Sequence, residues 1–255
     1  MRAAAAIAIS FVAVPASAAP APRPRPAEMR WAIAVGGGLA RAAPAFSAST
    51  TFLEFAEEGS ITARSVPRSG PHFEGSLWRA MSRRLGVGLS VSRSRREAPG
   101  TFSATFPHPL YLRRPRLVEG SLPAGAQRET AIHFGLVWSE TRGGITARVS
   151  GGPSYMLAEA DLVEHVGHTD AYPFDVVQVT DVRTSPVRGD ALGGHAGVTL
   201  ERRIAGRMAL CAGARWSRAT IPLARRAVPA EDAGERSARV QAGGVTAAAS
   251  LRLYF

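Results

Sequence analysis

The sequence predicts an all-β chain that closes into an antiparallel transmembrane β-barrel of about eight strands, with ten strands as the alternative. The last segment of the chain alternates apolar and polar residues and ends on an aromatic residue. The same alternation recurs in internal segments of roughly the length that a tilted strand needs to cross a membrane. The connections between these segments are alternately short and long, which is typical of barrels with short periplasmic turns and long extracellular loops.

The eight strands differ in how clearly they alternate. In the second strand Arg79 shares a face with Leu77, whereas Trp78 shares the other face with Glu74, so its lipid-facing side is left open. Residues 50–66 alternate weakly and are expected to extend the first hairpin, which is why ten strands remain the alternative. The predicted strands span residues 30–41, 72–81, 85–94, 129–139, 144–158, 189–201, 206–217 and 239–255.

The links between paired strands alternate in length. Tight turns are predicted after Met81, at Gly143–Gly144 and at Gly206, because glycine adopts the conformations that tight turns require. The long connections, expected to be extracellular loops, cover residues 42–72, 93–128, 158–190 and 217–238. Such long loops would argue against the assignment in a compact soluble domain, but they suit a membrane barrel.

The C-terminal strand has one apolar face and one polar face. Leu251, Leu253 and Phe255 lie on the first, and Arg252 lies on the second. This strand resembles the last strand of bacterial outer-membrane proteins, in which that strand is the signal read by the barrel-assembly machinery. The resemblance implies the outer membrane of a Gram-negative bacterium and contact with its lipids and lipopolysaccharide.

A narrower resemblance lies in the glycine-rich segment Leu77–Ser92, a strand, a turn and a strand that are similar to small OmpA- or OmpX-like barrels. Unlike OmpA itself, the chain is expected to have no peptidoglycan-binding domain, since its last strand ends the sequence. We expect a monomer.

The N-terminal residues are interpreted as an export signal. Residues 1–18 combine a basic start, a short apolar run and small residues before a cleavage site, and residues 19–28 form a proline-rich spacer. The barrel is therefore expected to cover residues 29–255. No run of 18 apolar residues follows, so no transmembrane helix is predicted.

Charge and cysteine content exclude several function classes. The net charge is +11, and all 31 basic residues are arginines. Because the arginine pairs are scattered and no known module surrounds them, nucleic acid is not a predicted partner. Cys211 is the only cysteine, which excludes an internal disulfide and a cysteine-based metal site. Neither a metal nor another cofactor is predicted.

The alternation directs a set of polar side chains into the lumen, where charges must be paired or hydrated. Glu201 and Arg207 flank the same turn and are predicted to pair. A lumen filled by side chains favours a structural or interaction role at the cell surface. The alternatives are a narrow passive pore or small-ligand transporter, and a soluble periplasmic lipocalin-like binder in which inside and outside are exchanged. The predicted lumen network contains His133, Arg148, His195, Glu201, Arg207, Arg215 and Arg252.

The second long connection contains an apolar stretch followed by basic residues. We expect Arg113, Arg114 and Arg116 to contact lipid phosphates, because guanidinium groups bind phosphate through paired hydrogen bonds. Self-packing of this loop is the alternative.

Catalysis and metal binding have weaker support in the sequence. Ser139, Ser150 and Ser154 neighbour His133 or His195, but no G-x-S-x-G motif marks a nucleophile, so no catalytic residue is predicted. In the third long connection, His165 and His168 accompany Asp161 and Asp170, yet His-x-x-His alone is a weak metal signal, and these residues are expected to be solvated.

Overall fold

The computed structural model describes residues 30–224 and 237–255, and every regular element in them is a β-strand. The predicted signal peptide and spacer lie outside the described residues. Among the described residues, no helix is long and apolar enough to cross a membrane. In chain order the strands are β1 (Trp31–Ala40), β2 (Phe46–Glu54), β3 (Glu57–Ser65), β4 (Gly70–Ala80), β5 (Leu85–Phe106), β6 (Arg116–Arg142), β7 (Ile145–Asp170), β8 (Val177–Ala205), β9 (Met208–Ala224) and β10 (Ser237–Tyr254).

Eight of these strands form a closed antiparallel ring, which confirms the predicted barrel. β1 pairs with β4, each strand from β4 to β9 pairs with the next in the chain, and β10 closes the ring by pairing with both β9 and β1. Within this ring, closure pairs the backbone hydrogen-bonding groups of neighbouring strands without leaving an edge. The predicted tight turns lie at one end of this ring, which we call the turn end.

The first hairpin is interrupted, which accounts for both the eight-strand and the ten-strand expectation. Beyond Ala40 and Gly70, where β1 and β4 still face each other, the wall is continued by β2 and β3. β3 pairs with β5, and β2 pairs with β10, so the wall extends above the ring. Among the described strands this extension is not a second closed ring, because β6 pairs with β7 only up to Gln127 and Ala160, and β8 pairs with β9 only up to Gly194 and Arg218. We call the ring containing β1 and β4 the membrane section and the part of the wall containing β2 and β3 the upper section.

The segments predicted as long loops are for the most part strand, and that prediction is wrong in this respect. β8 has 29 residues, far more than the roughly 9–11 that cross a bilayer. The remaining connections between long strands are residues 107–115 and 171–176, while residues 225–236 lie outside the described part. The loop prediction was wrong because the alternation in the upper section places apolar residues inside and polar residues outside. Gly, Pro, Ser and Thr are interspersed in these strands.

Around the membrane section, the large apolar side chains point outward and are exposed. They include Leu85, Leu89, Val91, Phe134, Leu136, Val149, Val198, Leu200, Leu210, Leu251 and Leu253. Outward aromatic residues flank this apolar belt, with Trp31, Trp138 and Phe255 at the turn end and Phe73, Tyr155 and Trp216 at the other edge. Aromatic residues at both edges of an apolar band are typical of outer-membrane barrels.

The height of the belt fits a bilayer. From Arg84, directly before β5, to Arg93 within β5, the chain advances about 30 Å, which becomes about 23 Å of height at the usual tilt. The predicted second strand corresponds to β4. Phe73 and Leu77 point outward from it, so they mark the lipid-facing side that the sequence did not assign.

The interior changes character from one section to the other. Inward residues of β5 are Ser90, Ser92 and Ser94 in the membrane section but Phe102 and Phe106 in the upper section. Two apolar clusters fill the upper section, and their larger members are Phe46, Met156, Ile221, Leu223 and Val240 in one and Ile61, Phe102, Phe106, Val163 and Val166 in the other. An apolar interior with a polar exterior, as expected for a lipocalin-like binder, therefore holds only above the belt.

Candidate functional site: the closed lumen

Four side chains form an ionic cluster inside the barrel near the turn end. Arg148 donates from Nε to Glu201 Oε2 at 3.1 Å and from Nη2 to the Tyr254 hydroxyl at 2.7 Å. Arg252 donates from Nη1 to Glu201 Oε2 at 2.5 Å, and the Tyr254 hydroxyl donates to Glu201 Oε1. The Arg148 guanidinium also lies 4.3 Å from the centre of the Trp78 ring. We call Arg148, Glu201, Arg252 and Tyr254 the lower cluster.

The predicted pair between Glu201 and Arg207 is wrong. Arg207 lies in the turn between β8 and β9 and is exposed, so it does not enter the lumen. The alternation of side chains applies only within a strand, and the turn starts before Arg207. Arg148 and Arg252, on the neighbouring parts of β7 and β10, take its place beside Glu201.

A second ion pair crosses the middle of the membrane section. Arg215 Nη2 donates to Glu74 Oε1 at 2.7 Å, and His72 Nε2 lies 3.6 Å from Glu74 Oε2. Small polar cavities lie on either side, of about 50 Å³ toward the turn end and about 20 Å³ toward the upper section. Arg215 lines both cavities, and its Nε and Nη1 are buried without a hydrogen-bond partner. Cavities of this size hold a few water molecules.

Two lumen histidines, His133 and His195, share one serine. Ser154 Oγ lies 2.7 Å from His133 Nδ1 and 3.0 Å from His195 Nδ1, while Ser92 Oγ lies 3.3 Å from His133 Nε2. Of the three serines noted in the sequence, only Ser154 makes this contact, since Ser139 bonds to the Arg84 carbonyl at the turn end and Ser150 lines the larger cavity. Ser154 is only 1% exposed, so this network is sealed from large substrates.

A third ion pair closes the lumen below the upper section. Arg96 Nη1 lies 2.6 Å from Glu129 Oε1, and both side chains are buried. The pair also holds β10 across the barrel, because Arg96 Nη2 donates to the Gly243 carbonyl at 3.0 Å and the Gly243 amide donates to Glu129 Oε2 at 3.1 Å. Sequence reasoning missed this pair. The signal was available, since one member of the adjacent Arg95–Arg96 pair has to point inward in a strand.

Arg116 is buried, which contradicts its predicted contact with lipid phosphate. Its guanidinium bonds to both carboxylate oxygens of Asp170, at 2.6 and 3.1 Å, and to the carbonyls of Pro107 and Phe174. It was misplaced because β6 begins at Arg116, with its first side chain turned inward. Arg113 and Arg114 are exposed in the connection before it, and Arg114 Nη2 lies 3.4 Å from Asp175.

The residues considered for a metal site have other contacts. Asp170 binds Arg116, Asp161 accepts from the Ala126 amide, and His168 Nε2 lies 3.3 Å from Glu54. Within residues 30–224 and 237–255, no group of three or more metal-binding side chains is assembled. At the C-terminus, the residues of the predicted assembly signal, Leu251, Leu253 and Phe255, point outward.

No protein-family model and no curated protein match the chain. Among solved structures, the outer membrane protein OprG from Pseudomonas aeruginosa is similar, with a TM-score of 0.45 and 10% identity over 89% of this chain and 97% of that chain. Neisserial surface protein A gives 0.43 and 10% over 88% and 97%, and the outer membrane protease OmpT from Escherichia coli gives 0.42 and 9% over 88% and 97%.

The closed ring and its apolar belt define the class of protein, a transmembrane β-barrel. The similar structures are small outer-membrane β-barrel proteins from Gram-negative bacteria. The narrower resemblance to OmpA- or OmpX-like barrels stays a prediction.

Proposed function

We propose that this protein is a closed, non-conducting barrel of the outer membrane with a structural or interaction role at the cell surface. The observation that supports it is that side chains fill the lumen at successive heights. From the turn end upward these are the lower cluster, the Glu74–Arg215 pair, the Arg96–Glu129 pair and the apolar interior of the upper section. A side-chain-filled lumen is usual for a barrel of eight strands. The upper section then serves as a rigid platform that carries the hairpin tips away from the membrane.

Planar-bilayer recording tests the closed lumen. Purified full-length protein, shown to be folded by a heat-modifiable band, is expected to give no current steps above those of lipid alone. A channel-forming porin added to the same bilayer serves as the positive control. Regular steps from the folded wild-type protein would contradict the proposal.

A narrow pore is the second candidate function, and the two polar cavities on either side of Arg215 favour it. In a pore, the Glu74–Arg215 pair would be the constriction, and arginine in it would favour anions. The double variant Glu74→Ala/Arg215→Ala removes both charges together. A closed lumen keeps this variant silent in bilayers, because the lower cluster and the Arg96–Glu129 pair remain, whereas a pore with this pair as its constriction would conduct more in the variant than in the wild type.

We propose that the protein is not an enzyme. Ser154 and His133 are in hydrogen-bond contact, as a nucleophile and a base would be, but both are buried in the lumen. The OmpT structure belongs to a protease, so purified protein should be assayed with peptide substrates. Equal cleavage by wild type and Ser154→Ala would assign any activity to a contaminant.

The remaining expectations complete the proposal. Export by a cleaved signal peptide at residues 1–18, assembly through Leu251, Leu253 and Phe255, and a monomeric state in the outer membrane are consistent with a barrel of this architecture. Contact with lipopolysaccharide also belongs to the proposal.

A further inference from the structure

Outward arginines lie directly above the apolar belt on two neighbouring strands. On β5, Arg93 and Arg95 follow the belt residue Val91, and on β6, Arg128 lies beyond Ile132. All three arginines are exposed. We call Arg93, Arg95 and Arg128 the arginine cluster.

The cluster places like charges next to each other. Arg95 and Arg128 are direct partners in the antiparallel register of β5 and β6, and Arg93 is diagonal to Arg128. Side chains that face each other in this way have Cβ atoms about 5 Å apart, and like charges there are destabilising. An anion shared by the guanidinium groups would relieve this repulsion.

The acidic neighbours leave the cluster positively charged. Glu159 Oε1 lies 2.7 Å from Arg128 Nη1, but its other oxygen lies 2.7 Å from Arg188 Nε. Hydrogen bonds from Arg188 and Arg128 lower the pKa of Glu159, so its carboxylate is charged. This single negative charge is shared between two arginines. In the part of the chain that the structure describes, Arg93 and Arg95 form no ion pair; Glu97, the next outward residue of β5, adds a single carboxylate above them.

The depth of the cluster identifies the anion. Phe73 of β4 is the partner of Arg93 in the register and is an outward aromatic at the upper edge of the belt. Side chains that follow such an edge lie at the level of lipid head groups. The predicted contacts Arg113 and Arg114 are beyond the end of β5, about 30 Å higher at the usual strand length and tilt. They are too far from the bilayer to reach its phosphates.

We propose that Arg93, Arg95 and Arg128 bind a phosphate group of a glycolipid in the outer leaflet, which in a Gram-negative outer membrane is the lipid A part of lipopolysaccharide. The inference rests on the proposed placement in that membrane and deepens it by locating the lipid partner. Guanidinium groups bind phosphate oxygens through paired, charge-assisted hydrogen bonds, and three of them surround one phosphate without needing a pocket. Glu159 keeps Arg188 as its partner when Arg128 turns to the phosphate.

The test compares two triple variants of the full-length protein in phosphatidylcholine nanodiscs that contain lipid A. Arg93→Gln/Arg95→Gln/Arg128→Gln removes the cluster, and Arg83→Gln/Arg84→Gln/Arg142→Gln removes the same charge at the turn end. Lipid A retained per protein is measured after washing, together with the shift in unfolding temperature that lipid A causes. We expect retention to fall about tenfold in the first variant and to stay at the wild-type level in the second.

Three results would overturn the proposal: equal retention by both variants, equal retention of dephosphorylated lipid A, or the same temperature shift with inorganic phosphate alone. If the triple variant loses its heat-modifiable band, Arg95→Gln and Arg95→Lys provide milder variants. We expect Arg95→Lys to lose part of the lipid A binding, because lysine lacks the planar guanidinium group that binds phosphate through two hydrogen bonds. Bilayer conductance is recorded on the same samples. Conductance would contradict the closed lumen without affecting the lipid site, so the two proposals fail separately.

Discussion

At the residue scale, the lower cluster shows how the barrel accommodates charge in a narrow interior. Glu201 accepts hydrogen bonds from Arg148, Arg252 and Tyr254, so it is the common partner of the other three. A buried charge is costly unless it is paired, and removal of one partner leaves the others uncompensated. The cluster therefore stabilises the turn end only as a complete set.

Replacement of Glu201 by Gln should destabilise the folded barrel by roughly 3 kcal/mol, because Arg148 and Arg252 would lose their carboxylate. Urea unfolding in lipid vesicles, followed by tryptophan fluorescence, measures this free energy. Glu140→Gln is the matched control, since Glu140 is exposed and its contact with Arg84, at 3.2 Å, should contribute less than about 1 kcal/mol. Equal losses in the two variants would argue against a stabilising lower cluster.

The alternation of side chains explains which lumen residues the sequence could predict. His133, Arg148, His195, Glu201, Arg215 and Arg252 are all inside strands, and the structure buries them wholly or partly within the barrel. The predictions for Arg207 and Arg116 were wrong for the same physical reason. Whether a side chain faces inward or outward depends on where its strand begins or ends. The identity of the partners was beyond the sequence as well, since Glu74 and Arg215 are far apart in the chain and meet only through closure of the ring.

At the element scale, β10 has to pass the place where β1 ends and β2 begins. It pairs with β1 as far as Thr246 and with β2 only at Ser237 and Ala238. Between these points lie Gly243 and Gly244, which have φ angles of 99° and 110°. The Arg96–Glu129 pair binds the backbone of Gly243 there, so side chains replace the missing strand partner.

Two alanine variants separate the reasons why these two positions require glycine. At Gly243 an added Cβ would lie 2.3 Å from the Ser217 carbonyl oxygen, whereas at Gly244 its nearest neighbour would be the Arg41 carbonyl oxygen at 3.9 Å. Both positions carry the strain of a positive φ, roughly 1–2 kcal/mol for a residue other than glycine. We predict that Gly243→Ala lowers the unfolding free energy clearly more than Gly244→Ala. Equal effects would mean that only the φ angle matters.

The interrupted hairpin also marks the limit of the element predictions. The weak alternation of residues 50–66 was enough to indicate an extension of the first hairpin, and β2 and β3 confirm it. The prediction of loops for the rest of the upper section was wrong because a strand in contact with lipid has its apolar residues outside, and that pattern does not hold there. Above the belt, water replaces lipid outside the wall, so the polar and apolar faces of each strand exchange places.

At the scale of the whole molecule, six strands run through both sections, and each section has one pair of strands of its own. The membrane section closes into a ring through β1 and β4, whereas in the upper section β2 and β3 lie between β10 and β5, and the described strands form no complete ring of pairs there. The backbone hydrogen bonds of the membrane section therefore do not depend on β2 or β3. The upper apolar clusters do, because Phe46 and Ile61 belong to them.

Shortening the first hairpin tests this independence. Ala40 and Gly70 are register partners, so a two-residue Asn-Gly turn can join them in place of residues 41–69. We predict that this variant keeps its heat-modifiable band and strand content but binds the dye ANS strongly, since the upper interior loses part of its wall. Loss of the heat-modifiable band would show that the membrane section needs the upper one. Weak dye binding would show that the clusters stay covered without the hairpin.

The exchange of interior and exterior between the two sections also has a thermodynamic consequence. The upper section buries apolar side chains from water, so its unfolding should show a large positive heat-capacity change, as in water-soluble domains. The membrane section exposes its apolar belt to lipid and encloses polar groups, so little of its stability derives from removing hydrocarbon from water. Cooling, urea and excluded osmolytes should therefore act mainly on the part that projects into water, while acyl-chain length acts on the part held in the bilayer.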